Sequence, residues 1–487
     1  MTSVDERPPS DITTAAAGAQ DAVCAASASD RAAWLEALAD VLDANASELI
    51  ELADSESHLG NARLTGELAR TSAQLRLFAQ VVREGSFLEA AIDHPDTSAT
   101  PPIPDLRRML IPLGPVAVFA ASNFPFAFSV LGGDTASALA AGCPVVVKAH
   151  EGHPRLSRRV AALAVQALRG AGAPDGTFGL IEGRQAGVEL VQAPQIRAVG
   201  FTGSVTGGRC LFDLASQRPD PIPFYGELGS INPVVVTPGA AEESRAEIVD
   251  GLLGSFTMGV GQFCTKPGVV FAPTDTELAE QLAERIGADA KPLLNERIGA
   301  GFRDRLGELA GHDGVEVVGG SAPTAEHSAA PVVLRTTVDE VLRSPQMLLE
   351  EVFGPATLVV DYGSVAELRA VLPVLPGSLT ATLHAAEHED GLAERLIAEL
   401  SRIAGRVLYG GWPTGVAVSH AQHHGGPYPS TTSVHTSVGT TAIRRWQRPI
   451  AYQTTPDSLL PPALQEANPL GIPRRVDGVM TQPGETS

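Results

Sequence analysis

The sequence predicts an α/β protein built on parallel sheet, and three observations carry that reading. Four short apolar runs, Val116–Phe119, Val145–Val147, Phe178–Ile181 and Ala198–Phe201, recur between helical stretches. This βαβ rhythm puts helices on both faces of a sheet whose strands run the same way. Polar residues stand just past the runs, at Asn123, Lys148 and Ser204, where open α/β sheets bind their ligands. A second α/β segment begins with the apolar run Pro233–Val236 and continues through helical patterns near 278–286 and 301–309. At 487 residues the chain is long enough for two or three packed domains.

Composition excludes several classes. A formal charge of −21 opposes nucleic acid and anionic membranes as partners, since both require a basic face. Cys24, Cys143, Cys210 and Cys264 are irregularly spaced, so neither a CxxC pair nor a disulfide framework is expected and a reducing cytoplasm is favoured. No apolar leader and no apolar run long enough for a membrane span are visible.

Taken in order, residues 1–18 are rich in Ala, Thr, Ser, Pro and Asp and read as a disordered arm. From Ser29 the pattern is helical, with Asp30 as the expected cap and Trp34, Leu38, Val41 and Leu42 on one face. A second helix is expected over 62–78. The proline-rich stretch 99–114 reads as a connector carrying an edge strand. Residues 200–207 form a loose glycine loop without the GxGxxG fingerprint. Residues 407–428 are glycine- and proline-rich and predict a long loop of the kind that covers catalytic faces.

Four stretches carry chemistry. Residues 256–266 are a glycine-studded approach to Cys264, which can serve as a nucleophile only as thiolate. Glu227 lies between two glycines and just before an apolar strand, able to activate a thiol or a water. Asn123 ends an apolar strand with an amide suited to an oxyanion. Lys148 and Glu151 end another with a cation and a carboxylate apt for a nucleotide ribose.

Together with Phe201–Ser204 and Glu350–Pro355, this order of motifs over roughly residues 25–455 resembles the aldehyde dehydrogenase superfamily. The resemblance implies two Rossmann-like parallel-sheet domains and a small β bridging or oligomerisation element. Residues 1–99 and 115–228 would form the cofactor-binding domain, 229–440 the catalytic domain, and 100–114 with 441–487 the bridging element and tail. Cys264 would form a thiohemiacetal, its oxyanion held by Asn123 and the Cys264 N–H, and Glu227 would direct water at the resulting thioester. Phe119, Ala120, Lys148, Glu151, Arg184, Gly203, Ser204, Glu351 and Phe353 would hold NAD, the favoured cofactor, or NADP. The spacing of His420, His423 and His424 could suggest a metal site, but no cysteine or carboxylate lies near them in sequence and the superfamily chemistry needs no metal, so none is expected; pocket lining by at least one of these histidines is the competing role.

Ser122, Gly132 and the stretch 425–432 depart from common superfamily residues. They resemble a branch containing 2-oxoglutarate semialdehyde (2,5-dioxopentanoate) dehydrogenases and a fatty-aldehyde dehydrogenase. The first substrate is expected, with a medium- or long-chain aldehyde as the alternative and a catalytically silent nucleotide-binding relative as the rival from another class. A homodimer or homotetramer is expected from the strand-like segments near 105–113 and 446–454.

Overall fold

The computed structural model describes residues 8–320 and 327–482. Four helices open the chain: α1 (Pro9–Ala25), α2 (Ala28–Ala44), α3 (Ala46–Ser57) and α4 (Asn61–Glu84). Helix α1 overturns the expected disorder of residues 8–18; residues 1–7 lie outside the described residues. Its Ala- and Thr-rich composition conceals a stripe, Ile12, Ala16, Ala19 and Val23, that is buried, and steps of four and three residues keep such a stripe on one helical face. The α2 cap is Ser27 rather than Asp30. Ser27 Oγ accepts from the Asp30 N–H at 3.1 Å and Asp30 returns a bond to the Ser27 N–H at 3.2 Å, a capping box.

Two short strands follow, β1 (Ala91–Asp93) and β2 (Leu106–Pro112). Then come β3 (Val116–Phe119), α5 (Gly133–Ala141), β4 (Val145–Lys148), α6 (Pro154–Gly170), β5 (Phe178–Ile181) and α7 (Arg184–Gln192). β6 (Ala198–Thr202), α8 (Val205–Ser216) and β7 (Phe224–Glu227) complete this half. Its strands form one fully parallel sheet in the order β5-β4-β3-β6-β7. All four strands expected from the apolar runs are present.

The chain then crosses to a second sheet through β8 (Val234–Val236), α9 (Pro238–Glu243), α10 (Arg245–Thr257) and β9 (Val269–Pro273). β10 (Lys291–Pro292), β11 (Glu316–Gly319), β12 (Ser328–Ala329), β13 (Val332–Thr337), β14 (Ala356–Tyr362), β15 (Ser378–His384) and β16 (Ala404–Tyr409) follow. Seven of these strands lie in the order β11-β13-β14-β9-β8-β15-β16, parallel except for β11. Residues 410–439 have no helix or strand and run back over the ends of both sheets.

Finally β17 (Gln447–Gln453), β18 (Arg474–Val476) and β19 (Val479–Thr481) join a third sheet in the order β17-β2-β1-β18-β19. Residues 91–93 therefore belong to this small sheet and not with the cofactor half where the sequence placed them. A three-residue strand offers too little periodicity to be assigned, and only its pairing with β2 and β18 locates it.

Candidate active site

Cys264 sits where backbone sterics leave little choice. Helix α10 runs out at Thr257, and Gly259, Val260 and Gly261 all turn left-handed, at φ of 57°, 57° and 66°. For Val260, a β-branched residue, this is a strained conformation of the kind found at functional sites. Gly261 has no alternative: a Cβ there would stand 2.2 Å from the Gly354 carbonyl oxygen. The turn is thus pressed against the loop that carries Glu351 and Phe353. From the other side, Asn232 Nδ2 donates to the Cys264 and Lys266 carbonyls at 2.8 and 2.9 Å. The loop after β7 therefore fixes the backbone that bears the sulfur.

Glu227 is the last residue of β7 and is buried. Two glycines around it and the apolar run after it read as a loop entering a strand; its register with Thr202 of β6 instead makes it a strand end. The loop at 410–439 completes its surroundings. His424 Nε2 lies 3.0 Å from Glu227 Oε1 and 3.5 Å from Cys264 Sγ. Ser437 Oγ donates to Glu227 Oε2 at 2.6 Å. His424 itself is held by its own N–H, which donates to Thr436 Oγ1 at 2.7 Å. Sulfur, imidazole and carboxylate are one hydrogen-bonded unit.

Burial works on these groups in opposite directions. Burial first, and the Glu227 charge second, push the Cys264 thiol well above its ordinary value. Burial also pushes the Glu227 carboxyl up, but the adjacent His424 and bonds from His424, Ser437 and Cys264 outweigh it and hold Glu227 below the usual carboxylate range. The sulfur keeps its proton and the carboxylate loses its own. Glu227 bonds to Cys264 and to His424 Nε2, which also lies against the sulfur, so a proton leaving sulfur has the carboxylate as its acceptor, directly or by way of the imidazole. The sulfur, one carboxylate oxygen and one imidazole nitrogen lie within 4.8 Å of one another. A soft divalent cation would fit them as a chelate that blocks the sulfur. Sequence spacing had suggested no carboxylate or cysteine near these histidines; the fold supplies both.

Asn123 is buried at the mouth of the same turn, its Nδ2 donating to the Gln262 carbonyl at 3.2 Å. An amide nitrogen carries two hydrogens, so one remains for a second acceptor. Glu351 is brought in from the far side. A Cβ on Gly229 would lie 3.0 Å from its carboxylate. Burial raises the Glu351 carboxyl and lowers the Lys266 amine, each partly offset by the other's charge. Phe353 lies half-buried two residues on.

The remaining predicted positions line the carboxyl ends of the first sheet. Phe119 closes β3, and the Ala120 N–H donates to the Lys148 carbonyl at 3.1 Å. Lys148 Nζ is 3.8 Å from Glu151, whose side chain is 63% exposed. Arg184 is the exposed first residue of α7. The Gly203 N–H donates to the Glu227 carbonyl at 3.0 Å, and Ser204 caps α8 by accepting from the Gly207 N–H. His150, between Lys148 and Glu151 in sequence, is neutral here, because burial drives its pKa down to about 3.

The sequence reading missed His424, Ser437 and Asn232 as members of the site. A run of three histidines in a glycine-rich loop was a signal, but nothing in it distinguished His424 from its neighbours. His420 is exposed and His423 half-buried, while His424 is wholly buried.

A profile of the aldehyde dehydrogenase family matches residues 3–447. The chain is 48% identical over 460 residues to alpha-ketoglutaric semialdehyde dehydrogenase 2 of Azospirillum brasilense, covering 92% of this chain and 87% of that one. It is 43% identical to the alpha-ketoglutaric semialdehyde dehydrogenase of Acinetobacter baylyi, covering 93% and 87%. Among solved structures, an NADP-dependent enzyme of E. coli superposes with a TM-score of 0.77 at 23% identity, over 91% of this chain and 89% of that one. A 3,6-anhydro-L-galactose dehydrogenase superposes with a TM-score of 0.76 at 22% identity, over 91% and 90%. The chain belongs to the aldehyde dehydrogenase family.

Proposed function

We propose that this NAD(P)-dependent aldehyde dehydrogenase oxidises 2-oxoglutarate semialdehyde to 2-oxoglutarate. The carrying observation is the 48% and 43% identity to two enzymes of that name across nearly the whole chain. The same reading is supported by the intact cluster of Cys264, Glu227 and Asn123.

In this reading the Cys264 proton passes to Glu227 as sulfur attacks the aldehyde carbon, directly or through His424 Nε2 as that nitrogen hands its own hydrogen to the carboxylate, and Glu227 releases the proton to solvent before deacylation. The oxyanion of the thiohemiacetal accepts from the free Asn123 amide hydrogen and the Cys264 N–H; one such donor contributes about 3 kcal/mol to the transition state. NAD(P), when bound, supplies the hydride acceptor. The residues fit it: the first N–H groups of α8 are exposed beside Ser204, a ready anion site, and Lys148 with Glu151 stands at the next strand end but one. After the thioester forms, Glu227 accepts a proton from water as it attacks. A base ionised well below neutral pH is present throughout the neutral range, which suits hydrolysis over transfer to another thiol.

NAD is the favoured cofactor. Glu151 would repel a 2′-phosphate, and a neutral His150 removes one cation that would have welcomed it. A homodimer or homotetramer follows from β17, an edge strand with most of its residues exposed or half-exposed, since unpaired edges invite pairing. Free cysteines throughout accord with a reducing cytoplasm. No helix among the described residues is long and apolar enough to cross a membrane.

A panel of 2-oxoglutarate semialdehyde, succinate semialdehyde and decanal, each with NAD and NADP, tests this reading. The first aldehyde should give the highest kcat/KM. A higher value with decanal would overturn the substrate and favour the fatty-aldehyde alternative.

A further inference from the structure

Helix α4 turns a charged face toward the catalytic loops. Arg63, Glu67 and Arg70 follow one another at intervals of four and three residues, which keeps all three on one side of the helix. Glu67 is spent on structure: its Oε1 accepts from the Phe126 and Ala127 N–H groups at 2.8 and 3.0 Å. These bonds hold the loop that follows Asn123. The two arginines are spent much less fully.

Arg63 donates Nη2 to the Asn123 carbonyl at 2.6 Å, and its guanidinium lies over the Phe124 and Phe263 rings at 5.0 and 4.7 Å. Its Nε and Nη1 are buried without partners. Arg70 lies 5.6 Å over the Phe128 ring. It has no hydrogen bond or contact ion pair among the described residues, and its Nε is buried and unpartnered. Phe128 in turn lies 6.3 Å from the ring of His424. Arg70 is thus separated by one aromatic ring from the imidazole that touches the sulfur.

Such groups are costly to leave so. A buried guanidinium N–H without an acceptor forfeits its hydration and gets nothing back. Burial lowers both arginines, and Glu67 offsets only part of this. The Arg70 charge also reaches Cys264, where it opposes the rise in the thiol. Two underused cations on the face of α4 toward the catalytic loops offer a place for an anion. An anion held there with its other end at Cys264 would be part of the substrate.

We propose that Arg70 binds the carboxylate of the aldehyde substrate, with Arg63 adding positive potential along the same aromatic-walled approach. The inference rests on the carboxylate-bearing substrate proposed above and assigns the residue that selects it. A guanidinium pairs with a carboxylate through two parallel N–H bonds. The Phe124 and Phe128 rings exclude water around the short chain between the carboxylate and the aldehyde. An uncharged aldehyde of equal length gains the rings and loses the fork.

The test compares kcat/KM for 2-oxoglutarate semialdehyde with that for pentanal, in wild type, Arg70→Met and Arg70→Lys. Inhibition by 2-oxoglutarate is measured alongside. In Arg70→Met the ratio of the two kcat/KM values should fall about thirtyfold, mainly through KM, and 2-oxoglutarate should inhibit about thirtyfold more weakly. Arg70→Lys, which keeps the charge and loses the fork, should lie between. It also serves as the reporter if Arg70→Met does not fold. A merely structural role would depress both aldehydes together and leave the ratio alone, which would overturn the assignment. If wild type favours the semialdehyde and Arg70→Met keeps that preference, the substrate stands and Arg70 is not its anchor. If wild type itself favours pentanal, the substrate reading fails and the anchor fails with it.

Discussion

Two acid–base pairs stand at strand ends of the first sheet, one at β4 and one at β7. Lys148 and Glu151 approach to 3.8 Å with 13% and 63% of their side chains exposed. His424 and Glu227 approach to 3.0 Å with 0% and 2% exposed. The first pair is loosely joined with its carboxylate in solvent, where an ion pair is worth little and Glu151 can turn to a ligand. The second is locked in low dielectric, where each proton position is set by the neighbour. Ligand choice on the open side is adjustable by single residues. Chemistry on the closed side depends on several residues at once.

Glu227→Gln should break the closed side most severely. The amide keeps the shape and cannot accept a proton from water, so turnover should fall about a hundredfold or more. Mass spectrometry after mixing with aldehyde and NAD should show an acyl adduct on Cys264. A normal steady-state rate would remove Glu227 from the mechanism.

His424→Asn tests whether the imidazole carries the sulfur's proton. The sign follows from the Cys264 shift. A raised thiol pKa leaves the neutral thiol dominant at pH 7, and without an adjacent base the thiolate grows tenfold per pH unit. The acylation burst in the variant should therefore fall about tenfold to a hundredfold at pH 7 and recover toward pH 9. Iodoacetamide labelling of Cys264 should follow the same course. An unchanged pH profile would mean that Glu227 takes the proton directly and His424 does not carry it.

Glu151→Thr addresses the open side and should have the smallest effect. Removing the carboxylate should raise kcat/KM with NADP relative to NAD about tenfold, with little change in the acylation burst. Wild type already preferring NADP by tenfold would show that Glu151 does not face the ribose.

The open side was legible in the sequence and the closed side only half so. Strand ends announce themselves where an apolar run stops at a polar residue, as Lys148 illustrates; Asn123, expected to end a strand, instead lies in the turn four residues past β3. Helix α1 escaped because small residues can make a buried stripe without raising hydropathy. β1 escaped because three residues carry no period. His424 escaped because loops have no period at all. Its place depends on Thr436, Ser437 and the Thr431 bridge to Glu227, contacts between residues that the chain separates by a dozen to two hundred positions.

By itself the sequence determined the parallel-sheet class, the family, and three of the residues at the sulfur, because each rests on local pattern or on the identity of a reactive side chain. The tertiary structure alone decided that a histidine joins Cys264 to Glu227 and that α4 presents two underused arginines to the same cleft. It also decided that His150 is uncharged. These are matters of burial and distance between remote segments, and both are set only when the sheets and the loop at 410–439 close over one another.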